Sequence, residues 1–491
     1  MRFSDIEWGS DEAKGDSNLN KYFFEFSKFS NILTGKYRYI IGRKGTGKTA
    51  IIEKIKNITD DNPLGFYSNL TLRDFPLRDL KDLRDKSYQD KSQFVSIWQF
   101  LIYIELVKLL LKDESIVNED KIKELKEFLE INNLNNNLGF INTIKKLKQS
   151  NSKIKVFLSW ISGELNTSNS SEQTTTIHYH NVVKTIENKL KVQSECEYWI
   201  FIDELDEGYK AGDTNLRLLL LALLRAVENC ALALNNSIKF RPLLVLRSDI
   251  FDSLEDNDLN KLDDYTIRLK WTSEDISKTN DFSDIYTLKE VISARIKSSL
   301  PSCNNKNPWQ DVVEETDLNL PEKTTSTWKY MANRTYERPR DIVKFLKYCS
   351  ETFNSDDKYQ NKLTFKEIQR AEDRYSNWLY NELRDEIQAY LPCWKEVFQC
   401  LTAIGKGRFQ KQDLDKQLNE NRTISHWLAS NNKGTNDIIE LLFNFGILGN
   451  LDGKRWLFKY KDEDLSWNEN MDLIIHFGLH RKLRIKNTKD R

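Results

Sequence analysis

The fold is decided by residues 42–49, which read Gly42-Arg43-Lys44-Gly45-Thr46-Gly47-Lys48-Thr49. This stretch fits the pattern G-x-x-x-x-G-K-[ST] at every fixed position. A short apolar run, residues 37–41, precedes it, and isoleucines at helical spacing follow it as far as residue 58. The sequence therefore predicts a strand, a glycine-rich loop and a helix, in that order.

This loop has the chemistry of a phosphate cradle. Its glycines let backbone N–H groups curve around a phosphate chain, and the helix that follows adds the positive end of its dipole. We expect all eight residues to bind nucleotide, with Lys48 at the β- and γ-phosphates as a catalytic group and the Thr49 hydroxyl on Mg²⁺. The alternative is a glycine turn before an ordinary helix.

A second signal is the run Tyr-Trp-Ile-Phe-Ile-Asp-Glu at residues 198–204. Consecutive apolar residues before an acidic pair are typical of a strand buried on both faces of a parallel sheet. At the end of such a strand Asp203 is expected to hold the metal and Glu204 to act as general base for the attacking water. The alternative is a strand that ends in solvated acids.

A third core strand is predicted at residues 241–249, and it also ends in polar groups. Ends of parallel strands face the ligand crevice in open α/β sheets. Arg247, Ser248 or Asp249 is therefore expected to sense the γ-phosphate. The alternating run at residues 265–271 predicts a strand at the sheet edge.

Composition limits the class of protein. A chain of 491 residues is too long for one core, so about two to four domains are expected. Lys plus Arg equals Asp plus Glu at 74 each, so net charge gives no support for nucleic-acid binding. The six cysteines are scattered and are expected to be buried free thiols. With no signal-peptide core and no apolar run long enough to span a bilayer, we expect a cytoplasmic protein without membrane contact.

The elements suggest three domains. We predict an α/β P-loop core with a parallel sheet and flanking helices over residues 1–275, with a helical insertion at about 113–190. A helical lid is predicted over residues 276–390. Three helices and a hairpin turning at Asp452-Gly453 predict a winged-helix domain over residues 391–491.

Basic residues mark two places in the C-terminal half. Arg338-Pro339-Arg340-Asp341 opens a predicted helix, and an arginine there can neutralise phosphate in a bidentate manner. The alternative is a solvated basic turn. Residues 481–486 form a basic tail, but residues 401–491 contain only 16 Lys and Arg against 12 Asp and Glu. The winged helix thus fits either DNA or a protein partner.

Taken in order, these motifs resemble AAA+ ATPases of the origin-recognition and STAND-like branch. More narrowly, the loop and the run Phe-Ile-Asp-Glu-Leu-Asp-Glu-Gly at residues 201–208 are similar to a group of bacterial P-loop ATPases, some of which are encoded near phage-defence genes.

The resemblance implies ATP and Mg²⁺ as cofactors. Arg247 or Ser248 would be sensor 1, where many relatives have Asn or Thr, and Arg340 would be the sensor 2 arginine of the lid. Arg295 and Arg334 are candidates for an arginine acting on a neighbouring subunit. The resemblance also implies homo-oligomers and an effector protein as partners.

The first hypothesis is therefore an ATP-hydrolysing switch with slow or partner-stimulated turnover, which couples nucleotide state to oligomerisation and to engagement of a partner or DNA. The resemblance implies a role in bacterial antiviral defence. The alternative is a winged-helix DNA-binding protein whose ATP site is structural or a slow timer. A third hypothesis is a small-molecule phosphotransferase, against which the chain length and the predicted winged helix argue.

Overall fold

The computed structural model describes residues 2–71, 80, 92–134, 140–149, 153–157, 172–176, 179–205, 213–254, 256, 259–273, 285–303, 306–316, 326–353 and 361–486. The chain divides into two compact units. The sheet unit comprises Glu25–Lys44 and Lys48–Leu269. The C-terminal unit comprises Met1–Phe24, Gly45–Gly47 and Lys270–Arg491. The three-domain division stays a prediction, and residues 1–24 differ from it by clustering with the C-terminal unit.

The elements before residue 270 are α1 (Leu19–Tyr22), α2 (Phe29–Leu33), β1 (Tyr39–Ile41), α3 (Lys48–Asp60), β2 (Gly65–Thr71), α4 (Ser92–Leu110), α5 (Asp120–Ile131), α6 (Phe140–Gln149), β3 (Lys153–Phe157), β4 (Glu172–Thr176), α7 (Tyr179–Leu190), β5 (Glu197–Asp203), α8 (Thr214–Leu234), β6 (Lys239–Leu246), α9 (Ser248–Asp252) and β7 (Thr266–Arg268).

The later elements are β8 (Lys270–Thr272), β9 (Ile285–Thr287), α10 (Leu288–Ser299), α11 (Pro308–Val312), α12 (Thr327–Ala332), α13 (Pro339–Thr352), α14 (Phe365–Ile387), α15 (Trp394–Ile404), β10 (Arg408–Phe409), α16 (Lys411–Glu420), α17 (Arg422–Ser430), α18 (Thr435–Asn444), β11 (Leu448–Asp452), β12 (Arg455–Leu457) and β13 (Asp472–Ile475).

A five-stranded parallel sheet forms the centre of the sheet unit, in the order β2-β5-β6-β1-β7. The apolar run of β5 is buried on both faces, as its lack of alternation predicts. Because the strands are parallel, the ends of β1, β5 and β6 meet at one edge of the sheet. The predicted α/β fold is confirmed, and the chain order of its motifs brings the loop, Asp203 and Arg247 to that edge.

Two predicted strands differ in detail. The strand predicted at residues 241–249 ends at Leu246, because the chain turns into α9 at Ser248. The edge strand predicted at residues 265–271 is divided between β7, which does lie at the sheet edge, and β8, which pairs with β9 in the C-terminal unit.

Helix α4 fills the core of the sheet unit. It contacts α8, β2 and β5, and nearly all of its side chains are buried, including Trp98 and Tyr103. Among the described residues it is the one helix long and apolar enough to cross a membrane, yet 89% of its apolar window is buried inside the protein. A helix that is apolar on all sides is expected in a protein core.

The C-terminal unit has its own hydrophobic core around α10, α13 and α14. The first residues of the chain pack there, and Phe3, Ile6 and Trp8 are buried in that core. All six cysteines are buried and free, as their scattered positions predict.

The last hundred residues contain the three predicted helices, α15, α16 and α18, and the predicted hairpin, β11 and β12. The structure adds α17 and the strands β10 and β13, which complete a four-stranded sheet in the order β10-β13-β11-β12. Asn421 caps α17 by accepting from the backbone N–H groups of Thr423 and Ile424. The winged-helix assignment stays a prediction.

The basic tail at residues 481–486 is packed against the long helix α14. The backbone N–H of Lys482 donates to Ser376 Oγ at 3.0 Å, and Arg481 lies 3.6 Å from the carboxylate of Glu372. Leu483 and Ile485 are buried. These contacts therefore anchor the end of the described chain.

Candidate nucleotide site

The glycine-rich loop begins where β1 ends. Gly42 N–H donates to Leu246 O at 3.2 Å, so the loop leaves the sheet beside the end of β6. Gly45 and Gly47 have φ values of 84° and 97°, which are left-handed conformations that glycine adopts readily. A Cβ on Gly47 would meet nothing within 4 Å, so its φ alone favours glycine there. The predicted strand, loop and helix are all present.

Lys48 is the first residue of α3, and its ammonium group turns back onto the loop. Its Nζ donates to Gly42 O at 2.7 Å and to Arg43 O at 2.9 Å. Backbone carbonyls thus hold the cation over the curve of the loop. A phosphate group placed in that curve would meet this ammonium together with the N–H groups at the start of α3.

Thr49 and Asp203 meet although they lie far apart in sequence. The Thr49 hydroxyl donates to Asp203 Oδ2 at 3.1 Å. The other carboxylate oxygen, Oδ1, accepts from the backbone N–H of Glu204 at 2.7 Å. The structure therefore brings together the two residues that the sequence predicts as metal ligands.

Glu204 follows β5 with φ of 60°, one of five described non-glycine residues with positive φ. This conformation costs a residue with a Cβ about 1–2 kcal/mol. Backbone strain of this kind concentrates at functional sites. The acid predicted as general base is thus the residue whose backbone turns sharply at the end of the acidic strand.

Arg247 lies at the same edge of the sheet, between the ends of β1 and β5. Its guanidinium makes two hydrogen bonds to Asp249, of 2.9 and 2.7 Å. The next residue, Ser248, is buried, and its backbone N–H donates to Gly42 O at 3.3 Å. The order of the strands places the predicted sensor beside the loop, while its charge is balanced by a neighbouring acid.

The middle of the loop belongs to the C-terminal unit. The backbone N–H of Arg340 donates to Gly45 O at 3.3 Å, and Trp271 Nε1 donates to Thr46 O at 2.9 Å. The Arg340 side chain pairs with Glu382, with N–O distances of 2.9 and 3.1 Å. The sequence does not predict the Trp271 contact, because a single indole has no motif that marks it.

The two arginines around Pro339 have different environments. Arg338 is almost fully buried and pairs with Asp341 and Glu386, each at 2.9 Å. Burial opposes its charge, but the two carboxylates outweigh this effect and raise the pKa of Arg338. Neither arginine lies in a solvated turn, because Arg338 is buried and the Arg340 side chain is only 26% exposed.

The candidates for an arginine acting on a neighbour are engaged within the C-terminal unit. Arg334 pairs with Glu372 at 2.7 Å and lies over the ring of Tyr330. Arg295 lies over the ring of Tyr22 and donates to Trp8 O. Their role toward a second subunit stays a prediction.

These residues fit a nucleotide with Mg²⁺. The loop offers backbone N–H groups and the Lys48 ammonium to phosphate, and hydroxyl and carboxylate oxygens are ligands that Mg²⁺ prefers. Among the described residues there is no group of three or more His, Cys, Asp or Glu side chains that could by itself hold a metal ion. A magnesium ion here would take one or two protein ligands and complete its shell with phosphate and water, as it does in phosphoryl-transfer sites.

Comparison with known proteins gives limited matches. The family described as "FunZ-associated C-terminal helical domain" matches residues 286–384. Two solved structures are similar over 96% of this chain. They are Cdc6p from Pyrobaculum aerophilum (9% identity, 96% of that chain, TM-score 0.31) and Drosophila ORC bound to DNA (12% identity, 93% of that chain, TM-score 0.27). No curated protein matches the chain.

Likenesses this weak carry no conclusion about activity. The class of protein follows instead from the molecule itself: a parallel sheet with flanking helices, a phosphate loop after β1 and an acidic residue at the end of β5. The chain has an α/β P-loop core followed by a helical C-terminal region.

Proposed function

We propose that this chain binds ATP with Mg²⁺ at residues 42–49 and hydrolyses it, and that the bound nucleotide sets the state of a molecular switch. The observation that carries the proposal is the contact between Thr49 and Asp203, next to Lys48 on the phosphate loop. A nucleotide and its metal need these three groups together.

The residues have separate tasks in the proposed reaction. Lys48 leaves the loop carbonyls and neutralises charge on the β- and γ-phosphates. Thr49 and Asp203 would hold Mg²⁺, which would supply positive charge to the phosphate oxygens. Glu204, which follows β5 in a left-handed backbone conformation, accepts the proton of the attacking water. Arg247 releases Asp249 and Arg340 releases Glu382, and each guanidinium then pairs with phosphate.

The test is nucleotide binding and phosphate release by purified protein, with Lys48→Ala, Asp203→Asn and Glu204→Gln beside the wild type. We expect Lys48→Ala to lose binding and Glu204→Gln to bind without turnover. An unchanged affinity in Lys48→Ala would refute the site.

Sequence resemblance supports the further proposal that ATP drives assembly of a homo-oligomer. This assembly would engage an effector protein in the cytoplasm of a bacterium, in antiviral defence.

DNA engagement by the C-terminal region is a second candidate, and the hairpin favours it. Lys454, Arg455 and Trp456 are all exposed at the turn between β11 and β12 and the start of β12, with Trp456 42% exposed. Cations can bind phosphates, and an exposed indole beside them can stack on bases. In this account the ATP site is structural or a slow timer.

DNA binding is tested with Arg455→Ala and Trp456→Ala, because removal of residues 481–491 would also strip Leu483 and Ile485 from the core. We expect DNA affinity that falls steeply with salt in the wild type, with a shallower slope in Arg455→Ala. Lys395→Ala, an exposed cation on α15, is the matched control. Equal affinities for all four proteins would exclude the hairpin as the DNA surface.

A further inference from the structure

Residues 2–22 lie in a groove on the C-terminal unit in the way that a bound peptide lies on its receptor, and we call them the arm. The arm and the helices α10 and α13 that it contacts belong to one compact unit. Phe3, Ile6 and Trp8 are at most 5% exposed and pack in the core that these helices form. The ring centre of Phe3 lies 5.7 Å from that of Phe353, which follows α13. Apolar anchors therefore hold the arm in the groove.

Hydrogen bonds fix the register of the arm. The backbone N–H of Glu7 donates to Ser299 Oγ at 3.0 Å, at the end of α10. The indole N–H of Trp8 donates to Ser350 Oγ on α13 at 2.8 Å, and Arg295 Nε donates to Trp8 O at 3.3 Å. These contacts give the arm one alignment, because a shift along the groove would leave buried polar groups without partners.

Charge also matches between the arm and the groove. Lys344 and Lys347, one turn apart on α13, both donate to the carboxylate of Asp11. Burial opposes the charge of Asp11, but the two cations outweigh this effect and lower its pKa. The guanidinium of Arg295 lies 4.4 Å from the ring centre of Tyr22. The groove thus recognises an acidic segment that carries aromatic anchors.

The arm cannot leave this groove without a replacement. Leu288, Ile292 and Phe353 belong to the same core and are buried, and an empty groove would expose part of this core to water. A replacement must carry the same anchors and the same acid in the same register. The arm of a second copy of this chain meets each condition, because its sequence is identical. Exchange of an identical element between protomers is a low-cost route to an oligomer.

We propose that the arm passes between copies, so that residues 2–22 of one copy fill the groove of another in the homo-oligomer. This inference rests on the proposed function, in which copies of the chain assemble. The chain enters the sheet unit at Glu25, shortly after the arm, so an exchanged arm connects the sheet unit of one copy to the C-terminal unit of another. Each copy then completes the hydrophobic core of a neighbour. A reciprocal exchange closes a dimer, and a sequential exchange closes a ring or extends a filament.

The experiment uses two single cysteine variants, Glu7→Cys in the arm and Ser299→Cys in the groove, because the Glu7 backbone meets the Ser299 side chain. The native cysteines are buried. Both variants are made in the Glu204→Gln background, which is expected to retain the assembly, and they carry tags of different mass. They are incubated together with and without Mg²⁺-ATP and then oxidised mildly. A disulfide between the two proteins requires the arm of one copy in the groove of the other.

We expect the mixture of Glu7→Cys and Ser299→Cys to give about ten-fold or more mixed disulfide than a control mixture, because thiols held together in an assembly react at a high effective concentration. The control mixture combines Ser299→Cys with Lys395→Cys, since Lys395 is an exposed residue on α15. The double variant of Glu7 and Ser299, kept dilute and without ATP, should close its disulfide within one chain. A short bis-maleimide replaces oxidation if the two sulfurs do not reach each other.

Light scattering on the same samples separates arm exchange from the proposed function. Assembly without mixed disulfide above the Lys395→Cys control would overturn arm exchange and leave the switch intact. Mixed disulfide that forms equally with and without ATP would support arm exchange and count against ATP as the trigger of assembly. Absence of both assembly and mixed disulfide would reject arm exchange together with the assembly step of the proposed function.

Discussion

The Thr49 hydroxyl donates a 3.1 Å hydrogen bond to Asp203 Oδ2 across 154 residues of sequence. The strands that position these residues, β1 and β5, are not neighbours, because β6 lies between them. The contact exists because parallel strands end at a common edge, where the loop after β1 and the last residue of β5 both arrive. It is the relationship on which the proposed magnesium site depends.

Replacing either residue should weaken metal binding and have little effect on the free energy of unfolding. We expect Thr49→Val and Asp203→Asn to weaken Mg²⁺-dependent ATP binding by about ten-fold or more. The free energy of unfolding without nucleotide should change by about 1 kcal/mol or less, the usual contribution of one hydrogen bond. Titrations with Mg²⁺ and with EDTA measure the first effect, and urea unfolding measures the second. Affinity that is insensitive to Mg²⁺ in the wild type would count against the site.

Glu204 offers a test of backbone strain at the proposed general base. Glu204→Gly should stabilise the sheet unit by about 0.5–1 kcal/mol, because glycine adopts φ of 60° without a Cβ penalty. Glu204→Gln retains the Cβ and should not be stabilised. Both variants should lose about 10²-fold or more in hydrolysis rate, the contribution of a general base. Calorimetric unfolding and phosphate release give the two readouts, and a glycine variant with normal turnover would remove Glu204 from the mechanism.

The arginines around Pro339 should divide between structure and function. Arg338→Ala removes the cation that pairs with the buried carboxylates of Asp341 and Glu386, so we expect a loss of about 3–5 kcal/mol in unfolding free energy. Arg340→Ala should cost about 1 kcal/mol or less, since its ion pair is partly exposed. Equilibrium unfolding of the two variants checks this order. Equal losses would show that the two pairs are equivalent.

Asp113 makes the stability of the sheet unit depend on pH. Burial opposes its charge, but hydrogen bonds from Ser115, Tyr198 and Ser194 outweigh this effect and lower its pKa to about 2, from 3.8. Because the pKa of Asp113 is lower in the folded state than in the unfolded state, its ionised carboxylate contributes about 2 kcal/mol of stability above pH 4. This contribution is lost as pH falls from about 4 to 2. We expect Asp113→Asn to be less stable at pH 7 and to approach the wild type at pH 2. Parallel stability curves for the two proteins would contradict this assignment.

The tail at residues 481–486 should matter for stability. Burial of Leu483 and Ile485 contributes at least about 3 kcal/mol, so a chain ending at residue 480 should unfold at lower denaturant. Arg481→Ala and Lys482→Ala, which change exposed side chains, should have small effects. Denaturant midpoints for the three variants measure this, and a truncated chain as stable as the wild type would show that the tail is not an anchor.

Much of the sheet unit could be predicted because its signals are local. The loop pattern, the helix of α3 and the buried run of β5 are contiguous in sequence, and so is the acidic pair at the end of β5. The third strand is predicted three residues too long, because Arg247, Ser248 and Asp249 have the composition of a polar strand end, although Arg247 is the N-cap of α9 and Ser248 is its first residue.

The ion pairs of the C-terminal unit were beyond prediction from sequence. Arg338 and Arg340 differ by two positions, and nothing local tells which one is buried against Glu386 and which pairs with Glu382. The contact between Trp271 and the Thr46 carbonyl, and the packing of residues 481–486 on α14, likewise depend on tertiary structure alone.

The central claim is tested most directly by light scattering and phosphate release for wild type, Lys48→Ala and Glu204→Gln, each with and without Mg²⁺-ATP. We predict that the wild type releases phosphate, that Lys48→Ala neither binds ATP nor changes size, and that Glu204→Gln binds ATP without turnover and accumulates as a larger assembly. ATP bound equally by all three proteins, with no turnover and no change in size, would contradict the switch and leave a nucleotide-stabilised binding protein.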